Sequence, residues 1–307
     1  MTELEIVADG LRFPEGPVAM ADGSVILVEI AAGRITRVRP DGSKETVAEP
    51  GGGPNGLAMG PDGKLYCCNN GGFGWIEREG LLAPHGTASD YAGGRIERID
   101  IATGAVETLY RDGDFGCALR GPNDLVFDGH GGFWFSDHGK NRARERDITG
   151  IFYARADGGR LEEVIFPSEN PNGIGLSPDG GRLYAAETYT CRLMAFNVTA
   201  PGRVDGAAGP GGPGIPLHRP AGYKFFDSLA VEQGGNICVA TIGESGISVI
   251  APDGSPVEFV PTPDIFTTNI CFGGTDMRDA WITLSGTGRL ARMRWPRPGL
   301  GLALQQS

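Results

Sequence analysis

One short phrase recurs six times along the chain: FPEGPVAMADG at 13–23, GPNGLAMGPDG at 53–63, GPNDLVFDGHG at 121–131, NPNGIGLSPDG at 170–180, FFDSLAVEQGG at 225–235 and a weaker TTNICFGGTD at 267–276. Each copy runs from a polar residue through an apolar stretch into a glycine-containing turn. A second apolar run follows each: SVILVEI, KLYCCNN, GFWFSDH, RLYAAET, NICVATI and DAWITLS. Two short apolar runs joined by such a turn are a β-hairpin. Further strand-like runs come next, among them GRITRVRPDG and GRIERIDIATG, so the unit has three or four strands. Neighbouring copies lie about 40 to about 68 residues apart, which suits a four-stranded blade of at least ~40 residues plus loops. A β-sandwich or a linear β-solenoid does not account for repeats this long. Six such units around an axis predict an all-β, six-bladed β-propeller with a central channel, in which blades bury their faces against one another. The N-terminal LEIVADG is expected to add a strand to the last blade and close the ring, making residues 1–300 one domain and 301–307 a C-terminal tail.

Composition alone would leave the class open. With 51 glycines and 22 prolines in 307 residues, the chain approaches compositions that stay disordered. The periodicity, with a hydrophobic fraction of 40%, marks a packed core instead. No apolar run approaches the ~20 residues of a membrane helix. The start MTELEIVADG lacks a basic segment followed by an apolar one, so a soluble, cytoplasmic protein is expected. A formal net charge of −11 argues against nucleic acid or an anionic membrane as partner, since both are bound through clustered Lys and Arg. The six cysteines, at 67, 68, 117, 191, 238 and 271, show no CxxC spacing and no accompanying histidines; they read as free thiols within the core.

The innermost strand of each blade starts at one mouth of the channel, so the residue at the same place in every copy converges there. Those residues are Glu15, Asn55, Asn123, Asn172, Asp227 and, in the sixth copy, Thr268 or Asn269. Two carboxylates among amide oxygens suit one hard divalent cation. With no His or Cys in the ring, Ca²⁺ comes first, with Mg²⁺ or Mn²⁺ beside it, and Zn²⁺ or Fe²⁺ stay open. Asn and Asp also make turns ahead of strands, a reading that suits Asn55 equally well but not Glu15. The second strands return to the same mouth, which is expected to place Glu29, Asn69, Asn70, Asp137, His138, Glu187 and Thr241 on a polar rim. Asp137 and His138, in FSDHGK, can both take part in proton transfer. Arg120, in LRGPND, stands just ahead of Asn123 and could grip a hydroxylated or anionic substrate; a solvated surface position is the alternative for each. Two insertions interrupt the repeats. Residues 71–94, rich in aromatics and charges, are expected to be ordered and to close over the mouth through Phe73, Trp75 and His85, while 201–214 reads as a mobile excursion.

EGPV, GPNDLVFD, NPNGIGLSPDG and FDSLAV, in this order and spacing, resemble the blade-start motifs of the SMP-30/gluconolactonase (regucalcin-like) family, and the resemblance runs from about residue 10 to 296. It implies a six-bladed propeller with one divalent metal in the channel and hydrolysis of a lactone, sugar-derived and gluconolactone-like in many members. By motif it implies metal ligation by Glu15, Asn172 and Asp227, with Asn123 as a further ligand or substrate contact. Gly121 stands two positions before Asn123, where some sugar lactonases carry an arginine. The expected mechanism has the metal polarise the lactone carbonyl, with Asp227 as the catalytic proton acceptor and Asn123 orienting the reactants. Asn55, Arg120, Asp137 and His138 are expected to contact substrate. Organophosphate (phosphotriester) hydrolysis on the same propeller, the amine–aldehyde condensation of the related strictosidine synthase group, and a non-catalytic Ca²⁺-binding propeller are the alternatives.

Overall fold

The computed structural model describes residues 3–205, 208–209 and 212–302; part of the 201–214 excursion and residues 303–307 of the tail lie outside the described residues. Its regular structure is β apart from two single 3-10 turns, Ile30–Ala32 and Asp114–Gly116. Six antiparallel sheets form a six-bladed propeller. Blade one comprises Pro14–Ala19, Val25–Glu29, Arg34–Val38 and Lys44–Ala48. Blade two comprises Pro54–Met59, Leu65–Asn69, Arg95–Ile99 and Val106–Arg111. Blade three comprises Pro122–Phe127, Gly132–Asp137, Thr149–Arg155 and Leu161–Ser168. In blade four, Pro171–Leu176, Arg182–Glu187 and Arg192–Ala200 are followed by Arg203–Val204 and Ile215–His218, both paired to the third strand. Blade five comprises Phe225–Val231, Ile237–Ile242, Gly246–Ile250 and Pro256–Pro261. Blade six takes Thr267–Gly273, Asp279–Leu284 and Arg289–Arg294 from the C-terminal end. Its outer strand is Glu5–Ala8, in register Glu5↔Arg292 and Ile6↔Ala291, so the two ends of the ring are held by a ladder of backbone hydrogen bonds.

Burial follows distance from the axis. Second strands such as Val25–Glu29 and Leu65–Asn69 are buried at every position, because both faces of an inner strand meet a neighbouring blade; this is why they read as continuous apolar runs. Outer strands such as Pro256–Pro261 are mostly exposed. Four cysteines are buried, Cys117 and Cys271 are half-buried, and all six are free.

The tail of the repeated phrase is a turn that needs glycine. Gly23, Gly63, Gly131, Gly180, Gly235 and Gly274 close the six inner hairpins with φ between 69° and 92°, the left-handed region that glycine enters without a Cβ clash. The head of the phrase is a β-bulge. In blades one to four the ladder slips between Glu15 and Val18, Pro54 and Leu57, Pro122 and Leu125, and Pro171 and Ile174. Blades five and six slip between Phe226 and Leu229 and between Thr267 and Asn269. A bulge bends its strand and re-aims side chains, and here it does so at the ring positions. No helix among the described residues is long and apolar enough to cross a membrane, a statement that leaves β-barrels aside.

Candidate active site

Glu15, Asn55, Asn123, Asn172 and Asp227 meet at the floor of one pocket of about 450 Å³, a size usual for small-molecule sites. All five are buried, at 3–7% exposure. In the sixth blade the equivalent position is Thr268. Asn269, one residue on, donates from Nδ2 to Glu15 Oε2 at 2.7 Å, and Gly16 N–H donates to the same oxygen at 2.6 Å. Asn172 Nδ2 donates to Thr188 Oγ1 at 3.3 Å.

Two like charges enclosed side by side perturb each other. Burial holds Glu15 above the usual carboxylate range, against the hydrogen bonds from Asn269, Gly16 and Thr268. Burial, and next the Glu15 charge, hold Asp227 well above it. Asp124, a further buried carboxyl beside the ring, is pushed up to about 8 by burial and by Glu15. Enclosed carboxylates are stable only when protonated or when a cation offsets them. Asn123 Oδ1 lies buried with no hydrogen-bond partner among the described residues, although buried acceptors are normally satisfied. An orphan carbonyl oxygen in the same pocket lining as two destabilised carboxylates fits an all-oxygen cation site. Among the described residues no group of three His, Cys, Asp or Glu could hold a metal; this floor has two carboxylates, and its remaining oxygens belong to amides.

Beyond the floor, the rim expected from the second strands is internal. Glu29 accepts from Arg34, Thr36 and Arg12 N–H. Asn69 bridges Gly53 N–H and Glu97, and Glu187 accepts from Ser168, Thr190 and Arg192. Each is 2% exposed or less. These residues brace neighbouring strands and loops, since a buried carboxylate must be paired or hydrogen-bonded.

Asp137 follows the same logic and does not line the pocket. Its carboxylate accepts from the N–H groups of Arg120, Gly121 and Gly139 at 2.7–2.8 Å, shaping the loop that carries His138; burial nonetheless pushes it up to about 7. Arg120 is also outside the lining, its guanidinium turned to Asp112 at 3.1 Å in an exposed pair. Neither Arg120 nor Asp137, both expected to touch substrate, is part of this lining: a surface carboxylate holds the guanidinium of the one and backbone amides the carboxylate of the other. His138 does line the pocket. Burial, then the Lys140 charge, push its pKa down to about 4, so the imidazole is neutral at pH 7.

Residues 73–87 form a hairpin, Phe73–Arg78 with Leu81–Thr87, over the mouth. Phe73, Pro84 and Gly86 line the pocket. Trp75 packs behind them on Phe13, with ring centroids 5.1 Å apart, whereas His85 is exposed and lies outside the lining. The hairpin is fastened at both sides: Leu82 N–H donates to Gly286 O at 2.9 Å and Thr87 Oγ1 to Asn141 O at 3.0 Å. Its base rests on Lys140, which is 1% exposed and donates to Asn70 Oδ1 and Gly72 O at 3.0 and 2.8 Å. Lys140 also sits 4.1 Å from the Phe73 ring centroid. Burial pushes its pKa down to about 7. Lys140 gave no signal in the sequence beyond following Asp137 and His138. Thr188, Tyr189, Phe225, Ile242, Ile265 and Phe266 also line the pocket; apart from Phe225, the first residue of the fifth copy, they lie on loops or strand ends outside the repeated phrase.

The profile of the family described as SMP-30/Gluconolactonase/LRE-like region matches residues 13–286. The chain is 26% identical to the gluconolactonase of Zymomonas mobilis subsp. mobilis over 89% of its length and 76% of that protein. It is 28% identical to the lactonase drp35 of Staphylococcus haemolyticus over 85% and 72%. In fold it is similar to a gluconolactonase of Xanthomonas campestris, with TM-score 0.75, 22% identity and coverage of 96% of this chain and 90% of that one. It is likewise similar to a regucalcin of Agrobacterium tumefaciens, described as a calcium-binding protein, with TM-score 0.73, 19% identity and 98% coverage of each. With the profile spanning all six inner strands and the ring residues they carry, the chain belongs to the SMP-30/gluconolactonase/LRE-like family.

Proposed function

We propose that this chain is a metal-dependent lactonase that opens a cyclic ester bound over the five-residue floor. The observation that carries the reading is the orphaned Asn123 Oδ1 beside the buried carboxylates of Glu15 and Asp227. Relatives named gluconolactonase and lactonase support the reaction class. Glu15, Asn123, Asn172 and Asp227 would hold one divalent cation, Ca²⁺ first among the candidates. When bound, it supplies Lewis-acid polarisation of the scissile carbonyl and offsets the two carboxylates.

The rest falls to the chain's own groups. Asn269 and Gly16 fix Glu15 Oε2 in place, so this carboxylate is held rather than mobile. Asp227 accepts the proton of the attacking water, acting as general base from the floor. His138, neutral and on the wall, contacts substrate without serving as the base. Asn55 orients the ring oxygens of the lactone. The hairpin over the mouth limits water and substrate size. The test is a pH-indicator assay of a lactone panel on chelator-stripped protein, with each divalent cation added back. Cation-dependent ring opening is expected; a protein that opens no lactone with any cation refutes the proposal.

A further inference from the structure

Above its polar floor the pocket has an apolar wall. Phe73 comes from the hairpin, Tyr189 and Phe225 from the blade four–five side, and Ile242, Ile265 and Phe266 from blades five and six. Two of these present large surfaces to water, Ile265 at 42% exposure and Tyr189 at 41%. The wall is also built rather than incidental. Tyr189 and Phe225 meet edge-on with centroids 6.2 Å apart, and Phe266 packs on Phe13 at 6.0 Å. Gly243 N–H donates to Ile265 O at 2.9 Å, tying together the loops that carry Ile242 and Ile265. Among the described residues no lysine or arginine lines the cavity, and its charged groups, Glu15 and Asp227, sit on the floor.

Such a lining discriminates. A polyhydroxylated lactone seated here would turn hydroxyls toward Phe73, Phe225, Ile242 and Ile265, losing water without gaining partners there; of the other polar groups in the lining, Asn141 Nδ2 is already given to the Tyr189 hydroxyl at 2.7 Å and Thr188 Oγ1 accepts from Asn172. Buried polar groups left unpaired are costly. An alkyl or aryl substituent in the same place instead removes the apolar wall from water. A carboxylated or phosphorylated lactone would meet no cationic side chain there.

Resting on the lactonase reading, we infer that the substrate is a lactone bearing an apolar alkyl or aryl substituent, seated between Phe73 of the hairpin and the Phe225–Ile242–Ile265–Phe266 wall. A polyol sugar lactone is not what this wall is built to bind. The reaction balances as ordinary hydrolysis: water adds to the carbonyl carbon, the acyl–oxygen bond breaks, and the ring alkoxide takes a proton, leaving a hydroxy acid.

The experiment compares matched δ-lactones on the metal-loaded protein: D-glucono-δ-lactone, unsubstituted δ-valerolactone, and δ-lactones carrying a pentyl or phenyl group on the ring carbon next to oxygen. Apolar pockets discriminate by about tenfold or more per buried group, so kcat/KM is expected to rise at least about tenfold from δ-valerolactone to the substituted lactones and to exceed that for gluconolactone. Ile265→Asn, at an exposed position where the fold is indifferent, is expected to lower the substituted-to-gluconolactone ratio about tenfold at unchanged Tm. Calorimetric binding of the matched δ-lactams, whose amide is not opened, reads the wall independently of turnover. Gluconolactone preferred in turnover together with a polyol lactam preferred in binding would overturn the inference alone. Absence of turnover on every lactone would remove the lactonase reading and this inference with it, even where the pentyl lactam still binds tightest.

Discussion

His138→Gln separates the role of the pocket wall from that of the floor. Part of the His138 ring faces the cavity, while Nδ1 is enclosed and without a partner among the described residues. Burial, with Lys140 second and Arg146 further out, pushes its pKa from 6.5 down to about 4; contacts with the backbone at Asn170 and Pro171 act the other way. An imidazole whose pKa is depressed on folding binds its proton more tightly in the unfolded chain. Between pH 6.5 and about 4 the unfolded state therefore carries more protons, and stability falls as pH falls through that window. At about 1.36 kcal/mol for each pKa unit, full burial would cost at most about 3 kcal/mol by pH 4, and about 2 kcal/mol at pH 5 relative to pH 7. Because the ring is only half enclosed, the lower half of that range is expected, about 1 kcal/mol at pH 5, or roughly 2 °C in Tm for a chain of this size.

The assay is thermal melting of parent and His138→Gln at pH 7 and pH 5, compared as a difference of differences so that titrating carboxylates common to both proteins cancel. The parent is expected to lose about 2 °C more than the variant on acidification. An imidazole neutral down to about pH 4 is also expected to give kcat/KM no inflection near 6.5. Equal acid sensitivity in both proteins, or a near-neutral inflection in the parent that the variant lacks, would show that His138 titrates freely in the native state and refute the reasoning.

At the floor, Asp227→Asn is expected to lower kcat by about 10²–10⁴, the usual worth of a general base. In chelator at pH 8 the same change is expected to leave Tm unchanged or raise it, because it removes one of two crowded carboxylates; a lowered Tm would mean that the repulsion is absent. Glu15→Gln is expected to weaken uptake of added divalent cation, read by titration calorimetry, without unfolding the propeller. Gly16→Ala places a Cβ 2.4 Å from Asn55 O at a φ of 52°, so it is expected to destabilise by about 3 kcal/mol through strain and overpacking, measured by denaturant unfolding. Lys140→Met takes the Nζ donor from Asn70 Oδ1 and Gly72 O, leaving them only the N–H groups of Gly72 and Ala88. Limited proteolysis within 71–94 should accelerate by about tenfold, the equivalent of about 1.4 kcal/mol of local stability.

What could be read from the sequence, and what could not, divides along a physical line. The six turn glycines and the bulged polar residues are backbone demands. Gly63 must take a φ of 72°, and Asn55 stands at the start of a strand, Pro54–Met59, whose register slips beside it; both recur wherever a blade begins, so repetition exposes them. The closure of blade six by Glu5–Ala8 followed from the same counting. The second-strand residues show where such reasoning stops. Periodicity placed Glu29, Asn69 and Asp137 correctly at strand ends near one mouth, but whether a side chain there faces solvent or its own neighbours depends on partners distant in sequence, such as Arg12 N–H for Glu29 and Glu97 for Asn69. Arg120 stood three residues before Asn123, yet its guanidinium has Asp112 within reach outside the pocket. The apolar wall is the extreme case. Phe73 comes from the blade-two insertion, Phe225 and Ile242 from blade five and Ile265 from the loop into blade six; only Phe225 falls in a copy of the repeated phrase, and each alone is an ordinary hydrophobic residue near a strand end. Their meaning arises only where the ring of blades brings them together over the carboxylates. The floor proposed to carry the reaction is thus written in the repeat, whereas most of the wall proposed to select the substrate lies in the segments between repeats, where a blade's own stability places the least demand on the sequence.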